Sequence, residues 1–331
     1  MMRSVLNIDL NKIKINLDEI KKINNKKIIA VIKSNAYGLG IVEIAKFLES
    51  QSINYFAVAT LQEGITLRKN NIRGHILVLE KSDSFKDYLK YNLIYCLYDL
   101  DSLKTIIKQN HFLRIHIKCN TGLNRLGLEE KDLDELIKLI ENNKLRIEGI
   151  FTHVADFSSY ETQLNKFEFF AKKLSFIPNL ITHIDSSRFI NKINFTNTIR
   201  IGISLFTYKE NAISLQSPIY KIKEVNKGEL IGYNQEVVPS KGYILTIPLG
   251  YADGWNSFRK TIGYVDGIKI QQIGRTCMDL MMFFSPNIIK SPTIEIIGDH
   301  INLNYLSSLF GESIYVILAT LNSRLERHYF K

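Results

Sequence analysis

Eight short apolar runs, rich in β-branched residues, occur between about residues 27 and 205 and restrict this chain to very few folds. They lie at 27–33, 53–60, 74–80, 94–98, 114–118, 147–154, 181–186 and 198–205. The runs are continuous rather than alternating, as expected of parallel strands buried on both faces. Most of the segments between them have helical periodicity. Ile41, Ile44, Ala45 and Leu48 share one face, as do Leu133, Leu136, Ile137 and Ile140. Eight β–α repeats in succession point to an N-terminal (β/α)8 TIM-type barrel, with a doubly wound open sheet as the alternative on pattern alone. Past residue 210 the runs at 219–225, 243–248, 268–273, 280–284, 293–297 and 315–318 follow one another through Gly, Asn and Asp turns, without clear helices. That pattern reads as a C-terminal, mostly antiparallel β domain. The expected division is 9–210 for the barrel and 211–331 for the β domain, with an N-terminal strand in 1–8 packed on the latter.

Composition narrows the function classes. The chain of 331 residues has 45% hydrophobic and 23% charged residues, the balance of an ordinary globular protein. Its net charge of +10 comes from scattered lysines rather than a basic segment interleaved with aromatics, so a nucleic-acid partner is not expected. Cys96, Cys119 and Cys277 are odd in number and far apart, which argues against a disulfide framework or a metal site. Neither a signal-peptide core nor a stretch of membrane-helix length is visible, and a cytoplasmic location with no membrane partner is expected.

A barrel of this kind carries its chemistry where strands end and βα loops begin. The first run ends at Lys33, the fifth at Lys118 with Arg125 in the loop beyond, the sixth in Thr152 and His153, and the seventh in Asp185, Ser186 and Ser187. The eighth carries Arg200, Gly202 and Ile203. Two lysines, two arginines, a histidine and small hydroxyls on one rim make a cationic pocket suited to an anionic cofactor and substrate. Lys33 ends an apolar strand, where burial and neighbouring positive charge favour the neutral, nucleophilic amine needed for a Schiff base. A lysine snorkelling from a strand end is the bland alternative for Lys33. A satisfied rim histidine is the alternative for His153, and a helix cap for Ser186 and Ser187.

Six segments, in order, resemble those of the alanine racemases. The run from Lys33 to Gly40 (KSNAYGLG) is similar to their cofactor-lysine motif, and the one from Lys118 to Gly127 (KCNTGLNRLG) to their Lys-x-Asp-Thr-Gly-Met-x-Arg-x-Gly segment. His183 through Ser187, Arg200 through Ile203, Gly250 through Trp255 and Gly274 through Asp279 match four more. The resemblance spans nearly the whole chain. It implies a pyridoxal 5'-phosphate-dependent racemase that interconverts L- and D-alanine by a two-base mechanism and supplies D-alanine for peptidoglycan. Lys33 would carry the cofactor and serve the D-enantiomer, and Tyr251 would serve the L-enantiomer. Arg200 would face the pyridine nitrogen, with His153 helping to hold it. Tyr37, Ser187, Gly202 and Ile203 would bind phosphate, with Ser186 close by. Arg125 and the backbone of Met278 would hold the substrate carboxylate. Lys118, which relatives can carry carbamylated, would orient Arg125, and Asp279 would play a supporting part. The resemblance also implies a homodimer with shared active sites.

Departures from the commoner pattern are Leu39 for His, Asn120 for Asp, Ser186 for Asn, Phe206 for Tyr and Ser323 for a phosphate-binding Tyr. The His-x-x-Ser-Ser segment is similar also to the racemase part of membrane-bound serine racemases, so a serine or broad-specificity racemase is the main alternative. A decarboxylase of the same barrel family lacks support, because neither its Gly-rich phosphate loop nor its Cys-containing motif is found. A non-catalytic cofactor carrier would lack the C-terminal β domain.

Overall fold

The computed structural model describes residues 3–154, 157–185, 195–255 and 258–331. It separates into two compact units. One comprises Leu17–Ala36 and Ile41–Leu205, and the other Met1–Asn16, Tyr37–Gly40 and Phe206–Lys331. In chain order the strands of the first half are β1 (Val5–Asp9), β2 (Lys27–Val31), β3 (Tyr55–Val58), β4 (His75–Val78), β5 (Ile94–Leu97), β6 (Arg114–Lys118), β7 (Arg146–Thr152), β8 (Ile181–Asp185) and β9 (Thr198–Ile201). Those of the second half are β10 (Ile213–Pro218), β11 (Lys221–Val225), β12 (Leu230–Ile231), β13 (Glu236–Val237), β14 (Gly242–Ile247), β15 (Ile262–Val265), β16 (Ile268–Gln272), β17 (Met281–Ser285), β18 (Thr293–Ile297) and β19 (Glu326–Phe330).

Strands β2 to β9 form a closed parallel barrel, sealed where Ile29 of β2 pairs with Arg200 of β9. Each of the eight apolar runs supplies one strand, so the closed barrel replaces the open-sheet alternative. All of Tyr55–Val58 and Ile94–Leu97 is buried. Helices cover the outside with the faces their periodicity demands: Ile41–Ser50 buries Ile41, Ile44, Ala45, Phe47 and Leu48, and Leu133–Asn142 buries Leu133 and Leu136. Each Ile, Leu or Phe among these contributes about 1.5–3 kcal/mol when fully buried. The helix Leu61–Lys69 starts at a capping box. The Thr60 hydroxyl accepts from Glu63 N–H at 3.1 Å, and the Glu63 carboxylate accepts from Thr60 N–H at 3.2 Å.

The second unit is built on a nine-stranded sheet of order β11-β14-β17-β16-β15-β18-β10-β1-β19. It is antiparallel except at β1–β19, where Val5 to Asp9 runs parallel to Glu326 to Phe330. Strand β1 therefore sits inside the sheet between β10 and β19.

Two expectations need correction here. The run 315–318 is helical, within Ile314–Ala319, and a second helix spans Leu303–Phe310. A short apolar run does not distinguish strand from helix, and the caps decide. Ser313 accepts from Val316 N–H and Asn302 from Tyr305 N–H, while Gly311 closes the Leu303–Phe310 helix at φ +65°. Strands β10, β12, β13, β15 and β19 coincide with none of the expected runs. β19 alternates between exposed and half-buried residues and so offers no apolar run to find.

Candidate active site

Immediately after β2 the chain does something L-residues rarely do. Ser34, Asn35 and Ala36 have φ of 54°, 55° and 54° with ψ of 51°, 44° and 51°, one turn of left-handed helix starting at Lys33. Such a conformation costs about 1–2 kcal/mol per residue and persists only where its surroundings fix it. Within the barrel unit three bonds do so. Ala36 N–H donates to Ile32 O at 2.9 Å, Ile41 N–H to Asn35 Oδ1 at 2.9 Å, and Asn35 N–H to Glu63 Oε1 at 3.0 Å. The second Glu63 oxygen takes Ala59 N–H at 2.8 Å. One carboxylate thus joins the cap of the next helix to the turn that carries Lys33. In the other unit, Arg327 Nε donates to Gly38 O and the Tyr329 hydroxyl to Leu39 O, both at 2.7 Å. Tyr37 is buried there against Phe206 and Tyr315.

Arg200 projects from β9, which neighbours β2. It is 4% exposed and lies over the Phe151 ring, 4.7 Å from the centroid. Its guanidinium donates to Thr152 O at 2.7 Å and to His183 Nδ1 at 2.8 Å. By resemblance His153, which follows β7 and is half-buried, is expected to help hold Arg200, and His183 is a further support that the motifs alone do not single out. Register brings it in: His183 pairs with Thr198 and Asp185 with Arg200, so positions 183 and 200 share a face of adjacent strands. A polar residue in the middle of an apolar run, two residues from a strand end, was the available signal.

Lys118, buried at the end of β6, lies 5.6 Å from the Tyr98 ring centroid. Burial holds its ammonium below the usual lysine range, and Arg125, Arg200 and Lys33 push it the same way, with the Cys96 thiol opposing. Three cations of the predicted rim therefore act on the fourth. Arg125 is exposed in a loop shaped by Asn120, whose Oδ1 accepts from Gly122 N–H at 3.3 Å and Asn124 N–H at 3.0 Å. Asparagine performs this acceptor duty as an aspartate would, and its amide additionally donates to Asn124 Oδ1 at 3.1 Å. Gly202 and Ile203 are buried in the turn after β9, and Ser186 and Ser187 lie outside the described residues. Among the described residues, no cluster of His, Cys, Asp and Glu could hold a metal, and no helix is long and apolar enough to cross a membrane.

The imidazoles beneath Arg200 are fully buried. Burial pushes His116 down to about 3, with Arg114 and Arg200 adding to the shift, and it lowers His183 strongly as well. His116, near 6.5 when unfolded, takes up a proton on unfolding between about pH 3 and 6.5, so its contribution to stability is complete above that window and falls as pH drops through it, and His183 acts in the same direction. We expect His116 alone to cost about 2 kcal/mol between pH 6.5 and pH 5. Denaturant titrations across that range check this, and replacement of both histidines by apolar residues should flatten the slope.

In the β unit, Tyr251 opens a 3-10 turn ending at Asp253, and this turn is bonded to the loop of Met278. Tyr251 N–H donates to Cys277 O at 3.1 Å and Ala252 N–H to Met278 O at 3.0 Å. A Cβ on Gly250 would lie 2.2 Å from Met278 O, so only glycine permits this approach. Tyr251 and Met278 are 46% and 54% exposed. Tyr251 and Arg275 border a cavity of about 490 Å³ whose wall includes the ion pair of Lys260 with Glu236. The Asp279 carboxylate pairs with Arg324 at 2.7 Å. Of the noted departures, Leu39 and Phe206 are fully buried, and Ser323 is exposed.

Comparison with known proteins is consistent along the chain. The alanine racemase N-terminal domain family matches residues 8–210, and the alanine racemase C-terminal domain family matches 212–329. The alanine racemase of Fusobacterium nucleatum is 32% identical over 324 residues, covering 91% of each chain. The structure of alanine racemase from E. faecalis superposes with a TM-score of 0.92 at 26% identity, covering 99% of this chain and 98% of that one. That of alanine racemase from Bacillus anthracis with bound L-Ala-P gives 0.91 at 27%, covering 100% and 96%.

Proposed function

This chain belongs to the alanine racemase family and is a pyridoxal-phosphate-dependent racemase, and from that premise we propose that it interconverts L- and D-alanine with Lys33 and Tyr251 as the two bases. The product D-alanine would feed peptidoglycan synthesis. The observation that carries this reading is the barrel mouth itself. Lys33 leaves β2 on a braced left-handed turn, beside the strand that presents the buried Arg200, and Lys118 feels Lys33, Arg125 and Arg200 as neighbouring charges.

That donor set fits pyridoxal phosphate, whose phosphate is anionic and whose aldehyde needs an amine. When bound, the cofactor supplies an electron-withdrawing ring that acidifies the substrate Cα–H. Lys33 Nζ would hold it covalently. Tyr37, Ser187 and the backbone of Gly202 and Ile203 would bind the phosphate, with Ser186 close by. Arg200, with His153 assisting, would face the ring nitrogen. A guanidinium is a permanent donor, so Arg200 there would leave that nitrogen unprotonated and make the ring a restrained electron sink, which would suit proton transfer over side reactions. Arg125 and the Met278 backbone would hold the substrate carboxylate, and Asp279 would steady the loop that carries Met278. Lys118, carbamylated, would turn from a repelling cation into an anionic partner for Arg125.

Racemisation in which one face of Cα loses a proton and the other gains one needs a group on each side. Lys33 Nζ would exchange the proton of the D-enantiomer and Tyr251 Oη that of the L-enantiomer. The exposure of Tyr251 and Met278 supports a homodimer in which Tyr251 of the partner subunit completes each site.

The test is a racemisation assay over L-alanine, L-serine and other L-amino acids. Fastest turnover of L-alanine is expected, and preferred turnover of L-serine would replace the substrate assignment. Borohydride reduction of the yellow protein should fix the cofactor to the peptide containing Lys33. An adduct elsewhere, or none, would overturn the reading. ¹³C-bicarbonate should give a carbamate resonance that disappears in Lys118→Gln.

A further inference from the structure

Beneath Arg200 the barrel interior holds a continuous line of polar side chains. His183 Nδ1 meets the Arg200 guanidinium at 2.8 Å, His183 Nε2 meets His116 Nδ1 at 2.8 Å, and His116 Nε2 meets the Tyr55 hydroxyl at 2.8 Å. His116 and His183 are fully buried and Tyr55 is nearly so. His116 has its place because Gly149 opposite it lacks a side chain: a Cβ there would lie 2.6 Å from His116 Cε1.

The direction of every proton in this line follows from one fact. A guanidinium only donates, so His183 Nδ1 must accept. A neutral imidazole that accepts at Nδ1 carries its hydrogen on Nε2, so His183 donates to His116 Nδ1. By the same step His116 donates from Nε2 to the Tyr55 oxygen. The reverse direction fails at its last link, because it would point a His183 Nδ1–H at an arginine N–H. Protonating either ring likewise sets donor against donor. A second cation stands at the far end: Arg114 contacts His75 Nδ1 at 2.6 Å, and His75 packs on Tyr55 with ring centroids 5.1 Å apart. The Arg114 charge is met by Glu148 at 2.8 Å.

We propose that His116 and Tyr55 are positioning residues for Arg200, acting through His183 as a one-way hydrogen-bond relay that fixes the His183 tautomer and so the aim of the guanidinium. This deepens the functional reading above and rests on Arg200 facing the cofactor. Without the acceptor at His116, the His183 Nε2–H is left buried and unsatisfied. The ring then flips or rotates to find a partner, and Arg200 loses its Nδ1 acceptor.

Nitrogen NMR of ¹⁵N-histidine-labelled holoenzyme, assigned with single variants, tests the direction. His116 and His183 should both be neutral with hydrogen on Nε2. Hydrogen on Nδ1 of either ring, or an imidazolium at His183, overturns the relay. Cofactor affinity and absorbance test the consequence. His116→Leu removes the acceptor and should weaken pyridoxal phosphate binding about tenfold, with a changed absorption band. His116→Asn sets an amide oxygen where Nδ1 was and should stay within about twofold of the parent. Gly149→Ala crowds the His116 ring and should behave like His116→Leu. Unchanged binding in His116→Leu, or equal impairment in His116→Asn, overturns the proposal. Should parent protein fail to carry the cofactor on Lys33, the functional reading falls, and the nitrogen shifts of the cofactor-free protein still decide the relay.

Discussion

Tyr251→Phe is expected to slow α-proton removal from L-alanine by about 10²–10⁴-fold, the usual contribution of a positioned acid–base group. Deuterium exchange at Cα is the measurement, run separately on the two enantiomers. The exchange of D-alanine with solvent should be far less affected, because under the proposed mechanism that half-reaction uses Lys33 instead. Phenylalanine removes only the hydroxyl. The turn itself is held by backbone bonds from Tyr251 to Cys277 and Ala252 to Met278, which the substitution leaves in place. Borohydride should still fix the cofactor on Lys33 in this variant. Equal slowing of both enantiomers would place Tyr251 outside the chemistry, and an unaffected rate would sink the two-base assignment.

Asp253→Leu should destabilise the β unit by about 2–3 kcal/mol, because it strips the buried Gly250 N–H of its acceptor and removes the charge-assisted bonds from the partly exposed Arg3 and Arg324. The carboxylate is fully buried. It accepts from Arg3 at 3.0 and 3.1 Å and from Gly250 N–H at 2.8 Å, with Arg324 Nε at 3.3 Å. Arg3 precedes β1 and Arg324 precedes β19, so one carboxylate draws both chain ends onto the turn of Tyr251. Asn322 reinforces this, its side-chain amide donating to Ala252 O at 2.6 Å and its N–H to Asp253 O at 3.2 Å. Urea titration followed by circular dichroism measures the loss. Arg3→Met should cost far less, about 1 kcal/mol or under, because Arg3 is partly exposed and its charge is screened. Near-equal losses from the two variants would show that Asp253 is not the centre of the cluster.

The barrel was legible because each strand declares itself locally. A run such as 94–98 is apolar along its whole length, and only a strand buried on both faces has use for that. The cationic rim was legible for the same reason, since Lys33, Lys118 and Arg200 stand at or near the ends of those runs, where a barrel gathers its loops. The order of motifs then indicated the chemistry. Less was legible where exposure alternates or runs are short, as in β19 and in the helix Ile314–Ala319.

What the linear chain determined, then, was which segments are buried and which residue types stand at their ends, because burial is recorded in local composition. Only the folded molecule decided that His183, His116 and Tyr55 line up beneath Arg200, that Glu63 braces the left-handed turn after Lys33, and that Arg3 and Arg324 meet on Asp253. Each of those meetings depends on strand register or on closure between positions 17 to 250 residues apart, and a hydrogen bond 2.8 Å long is set by that geometry rather than by the identity of neighbours in sequence.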